Sequence, residues 1–569
     1  MPKSAQGSVT KQSTSVATRL RSLEQISRLR DDANAIASSE QIKRCSLLDH
    51  SDVDNAKRLI EHFGHDLLVR QESGVAGGAA VHWNRTHWDI DQGSAGWALT
   101  AHKVGDLIKL ECDFIQPTDD EAAAIDAGLA ADQEIREIRA RSKETESEAA
   151  KSVQTKLRLK ELRAAVLRGR SVENAVETRR RSRLRHATAT KNRSKMDAMM
   201  ACAKPYLRVS PNDFNPDPLK VATLSHTLRF RQIVDHESNG LVSWACEAEP
   251  THRRSDMITA IVPIKYDATA QCPRWRAALE RFQPNAEQRR TLQQFTGAGL
   301  LGKPIQRVMV HFGDGANFKS MFLETVTRVL GDYLAVGLPT ESLMYGAKSS
   351  AGGPRPDLER LFGKRMLRVL ELPLGVKIKT DLIKKLTGGE RWPVRTLYKG
   401  YYEFEPVAKA HLSANAYPTF DGSDGGMRRR LIIMHWPVTI PEKYQRDFDV
   451  VLAEFLQERE GILNWLIEGA LDYLQNGLVI SDYTRTITND CIDEMDPVAR
   501  FVRDCIVSAN GQAIPALALF NAYVAHCTAN AREVISMSKF GRSMRSRFKR
   551  IDTSACRLYT DICLRDLPV

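Results

Sequence analysis

The stretch from Val308 to Phe322, VMVHFGDGANFKSMF, constrains the fold of this chain more than any other. A β-like apolar run ends at Phe312, a flexible GDGAN turn follows, and FKSMFLETVTRVLG carries the apolar stripe of a helix. Strand, glycine-rich loop and helix in that order is the layout of a phosphate-binding loop, in which backbone N–H groups and the helix N-terminus hold phosphates. Gly313, Asp314, Gly315, Ala316, Asn317, Phe318, Lys319 and Ser320 are the candidate nucleotide-binding residues. In this layout Lys319 reaches the β- and γ-phosphates and the Ser320 hydroxyl ligates Mg²⁺. Phe318 breaks the pattern G-x-x-x-x-G-K-[ST], standing where its second glycine belongs. Glycine there lets the backbone approach the phosphates and adopts torsions that cost a bulky residue energy. Phenylalanine could block the phosphate pocket or turn Lys319 away.

The sequence downstream supplies the rest of a hydrolytic site. GKRMLRVLELP is a second apolar run, and Glu371 lies at its end, where a nucleoside triphosphatase places the carboxylate that orients Mg²⁺ and activates water. VAKAHLSANAYP is a third run, ending in Asn415, which is suited to positioning that water or sensing the γ-phosphate. DGSDGGMRRRLIIMHWP puts Arg429 and Arg430 on a glycine-rich turn before another strand, from which an arginine can act on ATP bound by a neighbouring subunit. The candidate catalytic residues are therefore Lys319, Glu371, Asn415, Arg429 and Arg430, with Ser320 and Glu371 as metal positions. Each alone also reads as ordinary strand-end polarity; their order is what carries the argument.

Taken with DLIKKLTGGERWPVRTLY, these strings make the segment from Cys272 to Pro441 resemble the helicase half of phage and plasmid primase-helicases. That group belongs to helicase superfamily III and has an AAA+-type core. Its loop normally reads G-x-G-x-N-G-K-S, so Gly313, Gly315, Asn317, Lys319 and Ser320 match and Phe318 departs. LTGGE stands for the family's L-T-G-G-D, with Glu390 replacing the aspartate. The resemblance implies ATP and Mg²⁺ as cofactors and a homo-oligomeric ring, expected as a hexamer, that translocates on single-stranded DNA and unwinds duplex. It also implies that Lys384, Arg395 and Lys399 lie on or beside a pore-facing hairpin and contact DNA phosphates. Without the resemblance that hairpin is simply a solvated surface.

The length of 569 residues suggests roughly three to four domains. The expected class is an α/β multidomain chain: a partly ordered leader (1–50), a mainly helical accessory domain with a long basic region (51–262), the ATPase core (263–480) and a winged-helix-like domain (481–569). DVDNAKRLIEHFGHDLLV reads as an amphipathic helix and AAVHWNRTHWDID as a hairpin, and the resemblance makes Trp83 and Trp88 core residues. From Asp119 to Ala203 the chain is rich in Ala, Glu, Arg, Lys and Leu with almost no Gly or Pro, which predicts long helix. It ends in ETRRRSRLRHATATKNRSK, the densest basic run, readable as a solvated face or as a surface for nucleic acid. DPVARFVRDCI, LFNAYVAHCTAN and SMSKFGRSMRSRFKRIDTSACRLYTDICLR resemble a winged-helix module, with Arg542, Arg545, Arg547, Lys549 and Arg550 as its basic face toward DNA. The plain alternative is a surface helix charged for solubility.

A net charge of +12 and a pI near 9.2 fit a polyanionic partner, because clustered cations gain affinity by releasing counterions. No apolar run approaches the roughly 18–20 residues of a membrane span and the N-terminus has no signal-like apolar segment, so a cytoplasmic location in a bacterial host is expected. Ten cysteines without C-x-x-C or Cys/His clustering read as reduced thiols. Asp89 and Asp91 are the only candidate acid pair for a primase metal site, and they fall inside the accessory pattern. Primer synthesis is therefore not expected, and a separate primase or polymerase would be a partner. The competing function is a DNA-binding oligomer of the same fold that has lost turnover through Phe318; a defence or signalling ATPase on the same core is a third.

Overall fold

The computed structural model describes residues 38–72, 78–144, 153–235, 241–344, 356–373, 377–395, 401–418, 425–530, 533–553 and 556–565. The chain divides into two compact units at Val209 and Ser210, with Glu72 and the short segment 85–88 counted in the second. Val262, where a domain boundary is expected from sequence, lies within the second of these units. Strands Lys220–Thr223, Thr227–Asp235, Leu241–Glu249 and Ile261–Val262 form one sheet, and its Val221, Leu228, Phe230 and Ile261 share a core with Trp275, Phe295, Phe322 and Leu463. Burial of that sheet face decides the unit it joins. Among the described residues no helix is long and apolar enough to cross a membrane.

In the first unit, helices Asp52–Phe63, Gly93–Leu110 and Arg193–Ala203 pack with strand Leu67–Arg70 around Leu59, Val69, Trp97, Val104, Ile108 and Met199. Ser51 caps the first of these helices by accepting from the Asp54 N–H, with Asp52 and Asp54 at the positive end of its dipole. Trp83 and Trp88 are both buried. The long helical region is a hairpin of Asp119–Glu144 and Val153–Thr190. Its helices touch at Gly128 and Gly169, where a Cβ on either would lie 3.0 Å from the other's Cα.

Much of the basic run is committed within this unit. Arg179 holds both oxygens of Glu121 at 2.7 and 2.6 Å, and Arg158, earlier on the same helix and outside the run, holds both of Glu134 at 3.0 and 2.9 Å. Arg180 donates to the Ile115 carbonyl at 3.0 Å, and Arg183 meets buried Glu111. Intramolecular pairing is therefore a third account of that charge, beside solvation and nucleic acid.

The second unit is built on a parallel sheet of β1 (Val308–Phe312), β2 (Ala335–Gly337), β3 (Met366–Leu372), β4 (Lys409–Ala414) and β5 (Leu431–His435). The five strands lie in the order β2-β3-β4-β1-β5, every neighbouring pair parallel. Their near-continuous apolar sequences suit strands covered on both faces, and every β4 position is buried. Helix α1 (Lys319–Leu334) carries the chain from β1 to β2 at the far edge, while β4 and β5 enclose β1. The loop after β1 thus opens at the carboxyl edge of the sheet where the strand order switches direction, the usual ligand crevice of open α/β sheets. Strands Trp392–Arg395 and Tyr401–Phe404 pair antiparallel as a separate hairpin.

The C-terminal part runs helix Pro497–Cys505, strand Ile506–Pro515, helices Ala516–Ala529 and Met537–Arg545, then strands Arg550–Asp552 and Arg557–Leu564. The strands form an antiparallel sheet with the last strand central, over a core of Phe501, Leu519, Tyr523, Phe540, Met544 and Tyr559.

Candidate functional site

The loop after β1 is stitched to the segment that follows β5. Ala316 accepts from the Ile440 N–H at 2.8 Å, and Asn317 Nδ2 donates to the Trp436 carbonyl at 3.3 Å. Gly313 is required by contact as well as by its φ of +153°, since a Cβ there would lie 2.4 Å from Asn317 Nδ2 and 2.6 Å from the Trp436 carbonyl oxygen. Gly315 faces open space.

Phe318 precedes α1 in the left-handed region, at φ +73° and ψ −9°. That is the conformation glycine adopts freely, and it costs another residue about 1–3 kcal/mol. Packing of the ring offsets this cost. It is 8% exposed and stacks on Phe282 with centroids 4.8 Å apart and planes within 12°. Phe455 meets it edge-on at 5.6 Å, and Trp275 and Trp436 stand at 6.1 Å. At about 0.5–1.5 kcal/mol per aromatic pair beyond area burial, two or three such pairs balance the torsional strain. The ring sits in an aromatic cluster at the cleft wall, and Lys319 stays in the loop.

Lys319 is 4% exposed, and its ammonium donates to the Gly313 carbonyl, to the Asp314 carbonyl at 3.2 Å and to Asn415 Oδ1 at 3.1 Å. Burial pushes its pKa down to about 8, against the pull of the Asp314 charge. Its hydrogen bonds all go to neutral oxygens. The loop opens on a cleft of about 750 Å³ lined on one side by Gly315, Asn317, Lys319, Ser320, Glu371 and Asn415, and on the other by Phe282, Tyr444, Val451 and Phe455, with Phe318 also in its lining. The helices that supply this second wall were not singled out from sequence, because their apolar positions read only as core.

Glu371 is exposed near the end of β3, with φ +57°, beside a register shift between Val369 and Leu372 in the pairing with β4. Such irregularities re-aim a side chain at the end of a ladder. Asn415 directly follows β4, the strand between β1 and β3, which is why it reaches Lys319. The fold therefore gathers Lys319, Ser320, Glu371 and Asn415 in one cleft.

The arginines stand elsewhere. Leu431 of β5 lies opposite Val308 of β1, so Arg428, Arg429 and Arg430 are at the amino edge of the sheet. A strand of this length spans about 16 Å, which separates them from their own loop. Arg428 lies 3.8 Å from Asp493 and 3.7 Å from Asp496. Arg430 is buried, its Nε donating to Thr387 Oγ1 at 2.9 Å and its Nη1 to the Gly426 carbonyl at 2.8 Å. Its expected display is corrected: Arg430 ties the turn to a neighbouring helix, and Arg429 alone of the two is exposed. Arg307, just before β1, donates to the Arg429 carbonyl. Sequence reading missed it, although a cation immediately ahead of the loop strand was visible in IQRVMV.

The expected DNA-contact residues divide similarly. Lys384 is on helix Thr380–Gly388 rather than on the hairpin, because LIKKL continues the helical stripe. Arg395 ends the first hairpin strand, and Lys399 lies outside the described residues. Arg542, Arg545 and Lys549 are exposed. Arg547 is bound to Asp496 and to the Ser543 carbonyl at 2.9 Å, and Arg550 to Asp552 at 2.6 Å.

Residues 56–284 match the family model described as D5 N terminal like. Similar solved structures include the A form of the apo NrS-1 C-terminal region, 12% identical over 52% of this chain and 79% of that one, with a TM-score of 0.35. A second apo structure of that region, residues 305–718, is 11% identical over 53% and 79%, with a TM-score of 0.36. Likenesses of that strength carry no weight for the fold. No curated protein matches the chain. The segment 56–284 is thus similar to the D5 N-terminal-like family over that stretch of the chain.

Proposed function

We propose that this chain is an ATP-dependent replicative DNA helicase of a phage, prophage or plasmid, acting as a ring, with a hexamer expected from the resemblance. The observation that carries the reading is the meeting of Lys319, Ser320, Glu371 and Asn415 in one cleft, with Arg429 displayed at the opposite edge of the same sheet. Phosphate oxygens would replace the neutral partners of Lys319, and the first N–H groups of α1, which have no intrahelical acceptors, would hold the same anion. The Ser320 hydroxyl and Glu371 carboxylate are hard oxygen donors of the kind Mg²⁺ takes, and the ion would neutralise charge developing on the phosphoryl group. Glu371 activates the attacking water and Asn415 orients it. Arg429, too far from its own loop, serves the nucleotide of a neighbouring subunit, so assembly is part of catalysis.

The order helix, strand, two helices and two strands supports a winged-helix reading of the C-terminal part, with Arg542, Arg545 and Lys549 toward the DNA backbone. The competing reading, an oligomer without turnover, drew on Phe318, and the ring's place in the aromatic cluster speaks against it. The test is Mg²⁺-dependent ATP hydrolysis against protein concentration, with and without single-stranded DNA. Turnover per subunit should rise with both. A rate indifferent to both, or one that survives Lys319→Ala, would defeat the proposal.

A further inference from the structure

The cations of helix Val153–Thr190 divide between two faces. On the inner side Leu162, Gly169, Val176, Arg183 and Ala187 are buried, and Arg158, Arg179, Arg180 and Arg183 are bound to groups of the same unit. The outer side is different. At 3.6 residues per turn, Lys156, Lys160, Arg163, Arg170, Arg181 and Arg185 fall within about 40° of one line, and all six are exposed. Leu167, Asn174, Thr178 and Thr188 complete that line without adding an acid. Glu177 stands at its flank and accepts from Arg181 at 3.0 Å. The other five cations have no ion-pair partner among the described residues.

The row runs about 44 Å, the length of about 13 base-pair steps. Duplex DNA carries phosphates along all of that length, and cations set in a row gain affinity by releasing the counterions condensed on them. A single strand is held by stacking of its bases on aromatic rings as well as by charge, and this helix contains no Phe, Tyr or Trp. A second copy is a poorer occupant too. A chain of net charge +12 repels its own kind, and Glu121, Asp132 and Glu134 of the facing helix are already held by Arg179, Arg136 and Arg158.

We propose that the outer face of this helix is a track for the phosphate backbone of duplex DNA, gripping it without reading its sequence. Backbone contacts set position and carry no sequence information, so any duplex serves. The surface belongs to the N-terminal unit, and its reading does not depend on ATP turnover.

The test is binding of the full-length chain, without nucleotide, to a fluorescent duplex of arbitrary sequence longer than the track. Affinity is measured across a range of salt concentrations, with a single strand of equal length in parallel. Three variants are compared with the wild type: Arg163→Gln on the line, Arg168→Gln about a third of a turn away on the same helix, and the triple change of Lys160, Arg163 and Arg170 to Gln. Melting temperature checks folding, and sedimentation checks oligomeric state. The dependence of log affinity on log salt should become shallower by about 0.9 for Arg163→Gln and by about 2–3 for the triple change, and should stay unchanged for Arg168→Gln. Single-strand binding should change less than duplex binding. No duplex binding by the wild type, an unchanged slope in the triple variant, or equal losses for Arg163→Gln and Arg168→Gln overturns the proposal. An altered oligomeric state with unchanged duplex binding overturns it in favour of a contact between copies, and equal losses on single strand and duplex overturn the duplex assignment. A wild type that shows the predicted slopes without hydrolysing ATP would overturn the reading of the loop and support the track.

Discussion

Glu111 in the N-terminal unit and Lys319 in the loop after β1 each carry a charge out of solvent, at 0% and 4% exposure. Glu111 takes Arg58 on both oxygens, Nε to Oε1 at 2.8 Å and Nη2 to Oε2 at 3.1 Å, and it also meets Arg183. The two arginines spend further N–H groups on carbonyls: Arg58 on Asp49 at 2.7 Å and Arg183 on Ser46 at 3.0 Å. Lys319 has only two loop carbonyls and one amide oxygen. One buried charge is matched by opposite charge within its own unit. The other is held by groups that phosphate oxygens can displace. Burial alone therefore does not mark a site; the sign and origin of the partners do.

Breaking the closed network should have the largest effect on stability. Glu111→Ala leaves two guanidiniums without their acid and should cost about 3–5 kcal/mol, read as a lower denaturant midpoint of the N-terminal unit, with affinity for an ATP analogue unchanged. Phe318→Ala should cost a similar amount, about 3–5 kcal/mol, by emptying the aromatic cluster. Phe318→Gly should recover about 1 kcal/mol of that through relief of the left-handed torsion. Lys319→Ala should reverse the pattern, lowering turnover by at least about a hundredfold, the scale of removing a group that stabilises transition-state charge, while thermal stability holds or rises.

Smaller effects sharpen the contrast. Gly313→Ala should disturb the loop, since its Cβ meets Asn317 and Trp436, whereas Gly315→Ala should leave nucleotide affinity within a few fold. The pKa of about 8 at Lys319 is depressed relative to an unfolded lysine. Its cost to stability is therefore present in full below pH 8 and is relieved as pH rises above 8, where the folded state releases its proton first. Phosphate binding favours the ammonium, so ATP affinity should fall above pH 8 and binding at pH 9 should take up a proton. Calorimetry in buffers of different ionisation enthalpy measures that uptake.

The strand, loop and helix around Lys319 were legible because local patterning dictates them: an apolar run, a glycine turn and a helical stripe. Glu371 and Asn415 were legible for the same reason, as polar residues at the ends of apolar runs. The direction of the Phe318 ring was not, since Phe282, Trp275 and Phe455 come from distant segments and only tertiary packing unites them. Nor were the separate fates of Arg428, Arg429 and Arg430, because three adjacent residues before a strand point in different directions and meet partners set by the fold. That the sheet of residues 220–262 shares a core with Trp275, Phe295 and Phe322 was not legible, because alternation identifies a strand's faces without saying what covers them. The join between the helix that carries Lys384 and the hairpin beside it was not legible, because the family string spans both without marking it.

We propose that the Phe318 ring, held on Phe282 and Phe455 in the cleft wall, leaves the space beside Lys319 open to a nucleotide. The direct test is the affinity of the wild-type chain and of Phe318→Gly for an ATP analogue with Mg²⁺, measured on protein confirmed folded at the assay temperature. The wild type should bind, and the glycine variant should bind no more tightly while melting at a lower temperature. Binding that the wild type lacks and Phe318→Gly restores, or a tenfold gain in the variant, would contradict the account.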